Sequence, residues 1–153
     1  MIIESKKLLS FNYFHIFDVV LDIAKYPEFL PWCDKVVISN IKDDSLSAIL
    51  YIKFLKISVN YTSDIMFLKP TQNNSGYIKS ISNNGPFKHL YNNWIFEYID
   101  NNHTMTSCIT EINFKSYILQ KTFGKVYRNK QEKIILAFEK RLERLYGNIL
   151  KLI

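Results

Sequence analysis

The sequence has few of the residues that identify disulfide scaffolds, metal sites and flexible linkers. Its 153 residues include two cysteines, three histidines, four glycines and four prolines. Cys33 and Cys108 lie far apart in the sequence, which favours a cytosolic protein with reduced thiols over a disulfide framework. No stretch approaches 18 uncharged apolar residues, and the N-terminus lacks the regions of a secretory signal, so no membrane span or leader is predicted.

Motifs of catalysis and cofactor binding are also missing. The glycine patterns that cradle phosphates and the serine-nucleophile elbow do not occur. His15, His89 and His103 do not pair on any predicted face, and their spacing matches no metal motif. Cys33 is a conceivable reactive thiol, but a small buried hydrophobic residue is the favoured interpretation. The sequence therefore predicts no catalytic residue, no metal site and no catalytic cofactor.

Aromatic residues and positive charge are what the chain has in abundance. Hydrophobic residues make up 48% and aromatic residues 15% of the sequence, which predicts one domain over 1–153 with a sizeable core. The net charge is +6, and residues 115–144 carry nine Lys and Arg against three Glu. This excess favours an anionic partner, a membrane surface or ribosomal RNA, although a solvated helix face has the same pattern.

Hydrophobic periodicity predicts an α+β fold. A strand over 3–11 is followed by a helix over 13–24, capped by Asn12, and by a short helix or turn over 26–31. Alternating apolar positions then predict six strands, over 36–41, 48–54, 57–67, 76–81, 90–98 and 104–114. A long amphipathic helix over 117–150 ends the chain. An antiparallel sheet covered by helix on one face fits this order, and an apolar pocket can open between them.

Three stretches of the chain resemble one known family. The segment 26–33, with the sequence YPEFLPWC, is similar to the signature of the coenzyme Q-binding START-like family. Residues 85–90, GPFKHL, followed by Trp94 and Phe96, resemble the second motif of that family. Phe114-Lys115-Ser116 and the region 137–147 are similar to its last strand and helix. The resemblance runs from about residue 6 to residue 147.

The resemblance implies a helix-grip fold, in which a curved antiparallel sheet grips a long C-terminal helix around a lipid-sized cavity. It also implies positions at the mouth or wall of that cavity, namely Leu30, Pro31, Trp32, Phe87, Leu90 and Trp94. Recurring aromatic and apolar positions add Phe67, Phe96, Phe114, Phe123 and Val126 as candidates for the same surface. Residues 91–93 stand where family members often have a small or charged turn, so the rim is expected to differ.

The implied function is non-catalytic binding and delivery of ubiquinone, or a related polyprenyl lipid, in support of respiratory electron transport. A basic face on the last helix would meet an anionic membrane, at the inner side of the cytoplasmic membrane, and its candidates are Lys121, Lys125, Arg128 and Lys133. Self-association through the apolar mouth is a further expectation.

Two alternatives stay open. A sister branch of the family, the ribosome-association toxins, would use the same basic helix to bind the large ribosomal subunit. That branch usually has glycine where this chain has Trp32, so the segment matches the quinone-binding branch better. A polyketide cyclase-type enzyme is the other alternative, because the wider fold hosts such activities.

Overall fold

The computed structural model describes residues 1–54 and 56–151, and it describes the side chains of all of these except 54, 126, 129–131 and 148–151. Within these residues the chain forms seven strands and three helices. The strands are β1 (Ile2–Leu9), β2 (Cys33–Ser39), β3 (Ser45–Phe54), β4 (Ile57–Leu68), β5 (Gly76–Ser82), β6 (Phe87–Asp100) and β7 (His103–Phe114). The helices are α1 (Tyr13–Leu21), a 3-10 helix (Ile23–Glu28) and α2 (Tyr117–Lys151). The predicted order of elements is confirmed.

The first helix ends earlier than its apolar periodicity predicts. Asn12 caps it as expected, because the Asn12 side chain accepts a hydrogen bond from the backbone N–H of Phe14 at 2.9 Å. The helix stops at Leu21, and the chain continues as the 3-10 helix, which contains Pro27. Proline disfavours the α conformation at the preceding residue, so the chain tightens into a 3-10 helix whose last residues begin the segment 26–33.

The sheet is antiparallel throughout, and its strands follow the order β1-β7-β6-β5-β4-β3-β2. Hairpins join each neighbour from β2 to β7, as the short polar turns predict. The first strand instead pairs with the last, with Ile2 opposite Glu111 and Leu9 opposite Thr104. This long-range pairing places both chain-terminal regions of the fold at one side of the sheet.

Both helices pack on the concave face of the sheet and form two hydrophobic clusters there. The larger cluster joins α1, the sheet and the second half of α2, around residues such as Phe17, Phe96 and Phe138. The smaller cluster joins the ends of β6 and β7 to the first turns of α2 through Phe87, Leu90, Ile112, Phe114 and Phe123. The sheet therefore grips the long helix at two places, and the predicted helix-grip fold is confirmed.

Candidate functional site

A cavity lies between the two hydrophobic clusters. It is bounded by the concave face of the sheet, by α2 and by the segment 26–33, it opens to solvent, and its volume is about 170 Å³. Pockets that bind drug-sized ligands usually measure about 300–1,000 Å³, so this cavity is smaller than the lipid-sized space implied by the resemblance. The residues that line it are Ile23, Tyr26, Leu30, Trp32, Cys33, Leu50, Ile52, Val59, Tyr61, Ser63, Ile65, Ile78, Ser80, Pro86, Phe87, Leu90, Asn92, Trp94, Cys108, Phe114, Phe123, Tyr127, Ile134 and Phe138.

Most of the apolar residues predicted for the site do lie in the cavity wall. Two strands, the segment before β2 and the last helix bring together seven of them, which are Leu30, Trp32, Phe87, Leu90, Trp94, Phe114 and Phe123. Leu30 is buried and belongs to the larger cluster, whereas Trp32 is only partly buried. Leu30 is thus a buried wall residue, and Trp32 lines the cavity while it stays partly in reach of solvent.

Three predicted positions are corrected by the structure. Pro31 is exposed and does not line the cavity, because the chain turns its neighbours inward on either side of it. Phe67 and Phe96 face the concave side as alternation predicts, but both pack edge-on against Phe17 of α1, which covers that end of the sheet. Alternation identifies the face of a strand but not the position along it. The side chain of Val126 lies outside the described residues.

The sequence-based prediction missed the polar residues of the wall. Ser63 of β4, Ser80 of β5 and Asn92 of β6 line the cavity together with Tyr61 and Tyr127. Residues 91–93 lie in the middle of β6, within the strand that alternation predicts over 90–98, so this chain has strand where family members often have a turn. Alternation of Asn92 with the inward residues Leu90 and Trp94 was the available signal, since residues two apart share a face.

The described residues of the wall carry no charge at neutral pH. No Asp, Glu, Lys, Arg or His is among the described lining residues. Loss of hydration on burial raises the pKa of the Cys33 thiol to about 11, with the nearby Asp34 carboxylate adding to the shift. The same loss of hydration raises the pKa of the Tyr26, Tyr61 and Tyr127 hydroxyls well above their ordinary value. The cavity is therefore suited to a neutral ligand.

The segment 26–33 is fastened to both helices, which gives the cavity a defined side wall. The Tyr26 hydroxyl donates a hydrogen bond to the backbone oxygen of Val20 in α1. The Arg141 guanidinium of α2 lies 3.3 Å from a Glu28 carboxylate oxygen and 5.2 Å from the centre of the Phe29 ring. These contacts combine an ion pair with a cation–π contact, and they hold the segment against the last helix.

The four predicted basic residues lie exposed on α2. Lys121, Lys125 and Arg128 share one face by their spacing, and Lys133 lies further round the helix. None of the ion pairs among the described residues includes any of the four. Arg128 donates to the Met1 sulfur at 2.9 Å, and Lys121 lies 5.7 Å above the exposed ring of Tyr117. Their charges are therefore available to an anionic surface.

Histidines and carboxylates lie away from the cavity. His15 stacks on Tyr146 at 3.9 Å between the two helices, and His103 bonds the Asp100 carboxylate at 2.8 Å in the turn between β6 and β7. Among the described residues, no three His, Cys, Asp or Glu side chains are grouped as metal ligands would be. None of the helices in the described part of the chain has the length and apolar character of a membrane span. What the site offers is apolar surface with a few hydroxyl and amide groups.

Known proteins share both the sequence pattern and the fold. The chain is 35% identical over 140 residues to the ribosome association toxin RatA of Rickettsia prowazekii (strain Madrid E), across 90% of this chain and 93% of that protein. It is 25% identical over 144 residues to the mitochondrial coenzyme Q-binding protein COQ10 homolog B of Xenopus laevis, across 94% of this chain and 59% of that protein.

Solved structures agree with the helix-grip description. The Zhui aromatase/cyclase of a Streptomyces species superposes with a TM-score of 0.79 at 14% identity, over 94% of each chain, a likeness that concerns the fold alone. A family profile described as polyketide cyclase / dehydrase and lipid transport matches residues 14–139. The START-like resemblance predicted from the sequence is confirmed, and the chain belongs to the polyketide cyclase / dehydrase and lipid transport family.

Proposed function

We propose that this protein binds a neutral polyprenyl lipid, ubiquinone or a close relative, in the cavity and carries it without chemical change. The observation that carries this proposal is the cavity wall, which is largely apolar and holds no charged side chain among its described residues. Each methylene group that leaves water contributes about 0.8 kcal/mol, so an uncharged lipid gains affinity from such a surface. The named relative that binds coenzyme Q supports the same ligand class.

The surface around the start of α2 supports a peripheral position at an anionic membrane, on its cytoplasmic side. Tyr117 and Ile118 are both 75% exposed, and they lie one turn before Lys121 and two turns before Lys125. Exposed apolar side chains beside lysines are typical of surfaces that contact lipid headgroups, and each lysine near an anionic bilayer contributes about 1 kcal/mol. Phe123 of the cavity wall lies on the same stretch of helix, so a docked membrane would be close to the site.

Lipid extraction tests the proposal directly. The purified protein is extracted with organic solvent and the extract is analysed by mass spectrometry, beside a mock purification. We expect a quinone or another neutral lipid in amounts comparable to the protein. Ile65→Trp, which enlarges a side chain in the cavity wall, should reduce the extracted lipid several-fold, whereas Leu136→Trp on the exposed face of α2 should not. If the extracts contain no more lipid than those of the mock purification, the proposed lipid-carrier function is refuted.

Vesicle binding tests the membrane surface. Lys121, Lys125 and Lys133 are changed together to Glu, and co-sedimentation with vesicles containing anionic lipid is measured. A matched variant changes three exposed lysines in loops of the sheet to Glu, namely Lys42, Lys56 and Lys69. The helix variant should lose most of its binding, while the loop variant should retain it, because only the first removes charge beside Tyr117 and Ile118. Equal losses would mean that net charge alone sets the binding.

A second function, binding of the large ribosomal subunit, has its own supporting observation. The identity to the ribosome association toxin is higher than to the coenzyme Q-binding protein, which runs against the inference from Trp32. The basic face of α2 would contact ribosomal RNA phosphates, and the binding would weaken steeply as salt rises. Sedimentation with purified large subunits, with the same two triple-lysine variants, separates this function from lipid transport. Protein that stays at the top of the gradient would exclude it.

Self-association through the cavity mouth stays a prediction. Trp32 is partly buried and lines the cavity, so a second copy at the mouth would cover it. Light scattering of the purified protein over a range of concentrations gives the molar mass, and a constant monomer mass would exclude a dimer.

A further inference from the structure

Three polar side chains form a row across strands β5, β6 and β7, and two of them, Ser80 and Asn92, line the cavity. Ser80 of β5 lies directly opposite Asn92 of β6, and Asn92 lies directly opposite Thr110 of β7. The Asn92 amide nitrogen donates to the Thr110 hydroxyl at 2.9 Å and to the Cys108 sulfur at 3.3 Å. We call Ser80, Asn92 and Thr110 the polar row. Its amide is held in one orientation from the side of β7.

The cavity side of the polar row has unused hydrogen-bonding capacity. Both donors of the Asn92 amide are directed to β7, and its carbonyl oxygen has no donor among the described residues. The hydroxyls of Ser80, Ser63 and Tyr61, which also line the cavity, have no hydrogen-bond partner among the described residues either. Ser63 is only 4% exposed. In the described part of the chain, the fully buried side-chain atom without a partner is Asn93 Oδ1, so the open polar atoms of these lining residues border the cavity, where the polar atoms of a ligand can pair with them.

The size of the cavity limits what those polar atoms can belong to. An apolar cavity of about 150 Å³ in another protein accommodates benzene. The volume here, about 170 Å³, has room for one six-membered ring with small substituents but not for a long hydrocarbon chain. The aromatic side chains Trp94 and Phe138, whose ring centres are 5.0 Å apart, offer faces and edges for packing against such a ring.

We infer that the ligand enters ring first: a six-membered ring with carbonyl or hydroxyl oxygens sits against the polar row, and the hydrocarbon tail extends outward. This inference rests on the proposed lipid-binding function and adds the orientation of the ligand and the residues that recognise it. Asn92 and Ser80 bond the ring oxygens. The tail passes the partly buried apolar residues Trp32, Val59 and Ile134, which line the cavity and keep contact with solvent.

The orientation is tested with three ligands that separate ring from tail. These are a short-chain ubiquinone, the same methoxylated quinone ring without a tail, and an isoprenoid hydrocarbon of the same tail length. Binding is followed by calorimetry, and quenching of Trp94 and Trp32 fluorescence reports the quinone ring directly, since these are the two tryptophans of the chain. The wild-type protein should bind the ring-bearing lipid most tightly, bind the bare ring measurably, and bind the hydrocarbon weakly.

Asn92→Leu keeps a similar side-chain volume and removes the amide. It should weaken the ring-bearing ligands about tenfold to a hundredfold, because a buried ligand oxygen loses its partner, and should leave the hydrocarbon unchanged or better bound. Ser80→Ala is a smaller change that keeps the hydrogen bonds from Asn92 to β7, and it should weaken binding of the same ligands about threefold to tenfold. This variant replaces Asn92→Leu in the test if Asn92→Leu does not fold. Ile65→Val is the control for loss of apolar wall, and it should weaken all three ligands alike.

Two results have different meanings for the two proposals. Hydrocarbon binding as tight as that of the ring-bearing lipid, or equal effects of Asn92→Leu on both, overturns the ring-first orientation and leaves lipid binding standing. Failure of all three ligands to bind refutes the proposed function, and the orientation falls with it.

Discussion

Replacing Phe138 with alanine should release the last helix from the wall of the cavity. The Phe138 ring is 3% exposed, and it makes edge-on contacts with Tyr26, Phe29 and Trp94 at ring-centre distances of 5.3, 5.1 and 5.0 Å. It thus joins α2 to the segment 26–33 and to β6. Truncating a buried Phe to Ala costs about 3–5 kcal/mol. Because one side of this ring already borders the cavity, we expect the lower end, about 3 kcal/mol.

Equilibrium unfolding in denaturant measures this loss as a fall in the free energy of unfolding. For a domain of this size, about 3 kcal/mol corresponds to a fall in Tm of roughly 6–12 °C. Leu136→Ala is the matched control, since Leu136 lies on the same helix but is 44% exposed, and surface changes usually stay within about 0.5 kcal/mol. A loss below about 1 kcal/mol for Phe138→Ala would show that the helix is not gripped through this ring.

The remaining predictions concern stability at three other places. Leu30→Ala should lower the free energy of unfolding by about 2–5 kcal/mol, because Leu30 is in the core, and Pro31→Ala should lower it by under about 0.5 kcal/mol, because Pro31 is exposed. Denaturant unfolding measures both losses, and equal losses would contradict this placement of the two residues. Gly124→Ala should raise the free energy of unfolding by up to about 1 kcal/mol, because the added methyl group inside α2 meets no atom closer than 3.9 Å. Gly85→Ala should lower the free energy of unfolding, because Gly85 has φ +60 and a methyl group there would lie 2.4 Å from a backbone oxygen. The pKa of the Cys33 thiol rises on folding from 9.0 to about 11, so the stability that the thiol contributes is present below pH 9.0 and is lost as the pH rises towards 11. Cys33→Ala should therefore flatten the fall of Tm between pH 9.0 and about 11. An unchanged pH profile of Tm would refute this role of the thiol.

The order of elements was predictable because each element carries a local signal. Asn12 supplies a cap and the strands alternate with a period of two, so most boundaries lie within a few residues of the prediction. The pairing of β1 with β7 was not predicted, because no local pattern specifies a partner about a hundred residues away. Sequence periodicity therefore gave the strands but not the whole sheet order.

The site was predictable in its aromatic part and not in its polar part. Phe87 and Trp94 lie in recognisable motifs, and the structure brings both to the cavity wall. Phe96 is only two residues from Trp94 on the same face, yet α1 covers it, and the depth at which a helix crosses a sheet depends on packing between distant residues. Asn92 lies in a strand as predicted, but alternation cannot show that its side chain lines a cavity, because that depends on which distant elements pack over the strand.

The pairing of β1 with β7 has a consequence for synthesis of the chain. Met1 and Ile112 are bonded through their backbones although 111 residues separate them. At about 5–20 residues per second, a nascent chain keeps its first strand unpaired for roughly 5–20 s before the partner strand has been made. Two adjacent lysines in that strand, Lys6 and Lys7, are exposed in the folded protein, and such charges hinder wrong pairing of an open strand with other chains. Removing both should leave the finished fold intact while lowering the yield of soluble protein during expression.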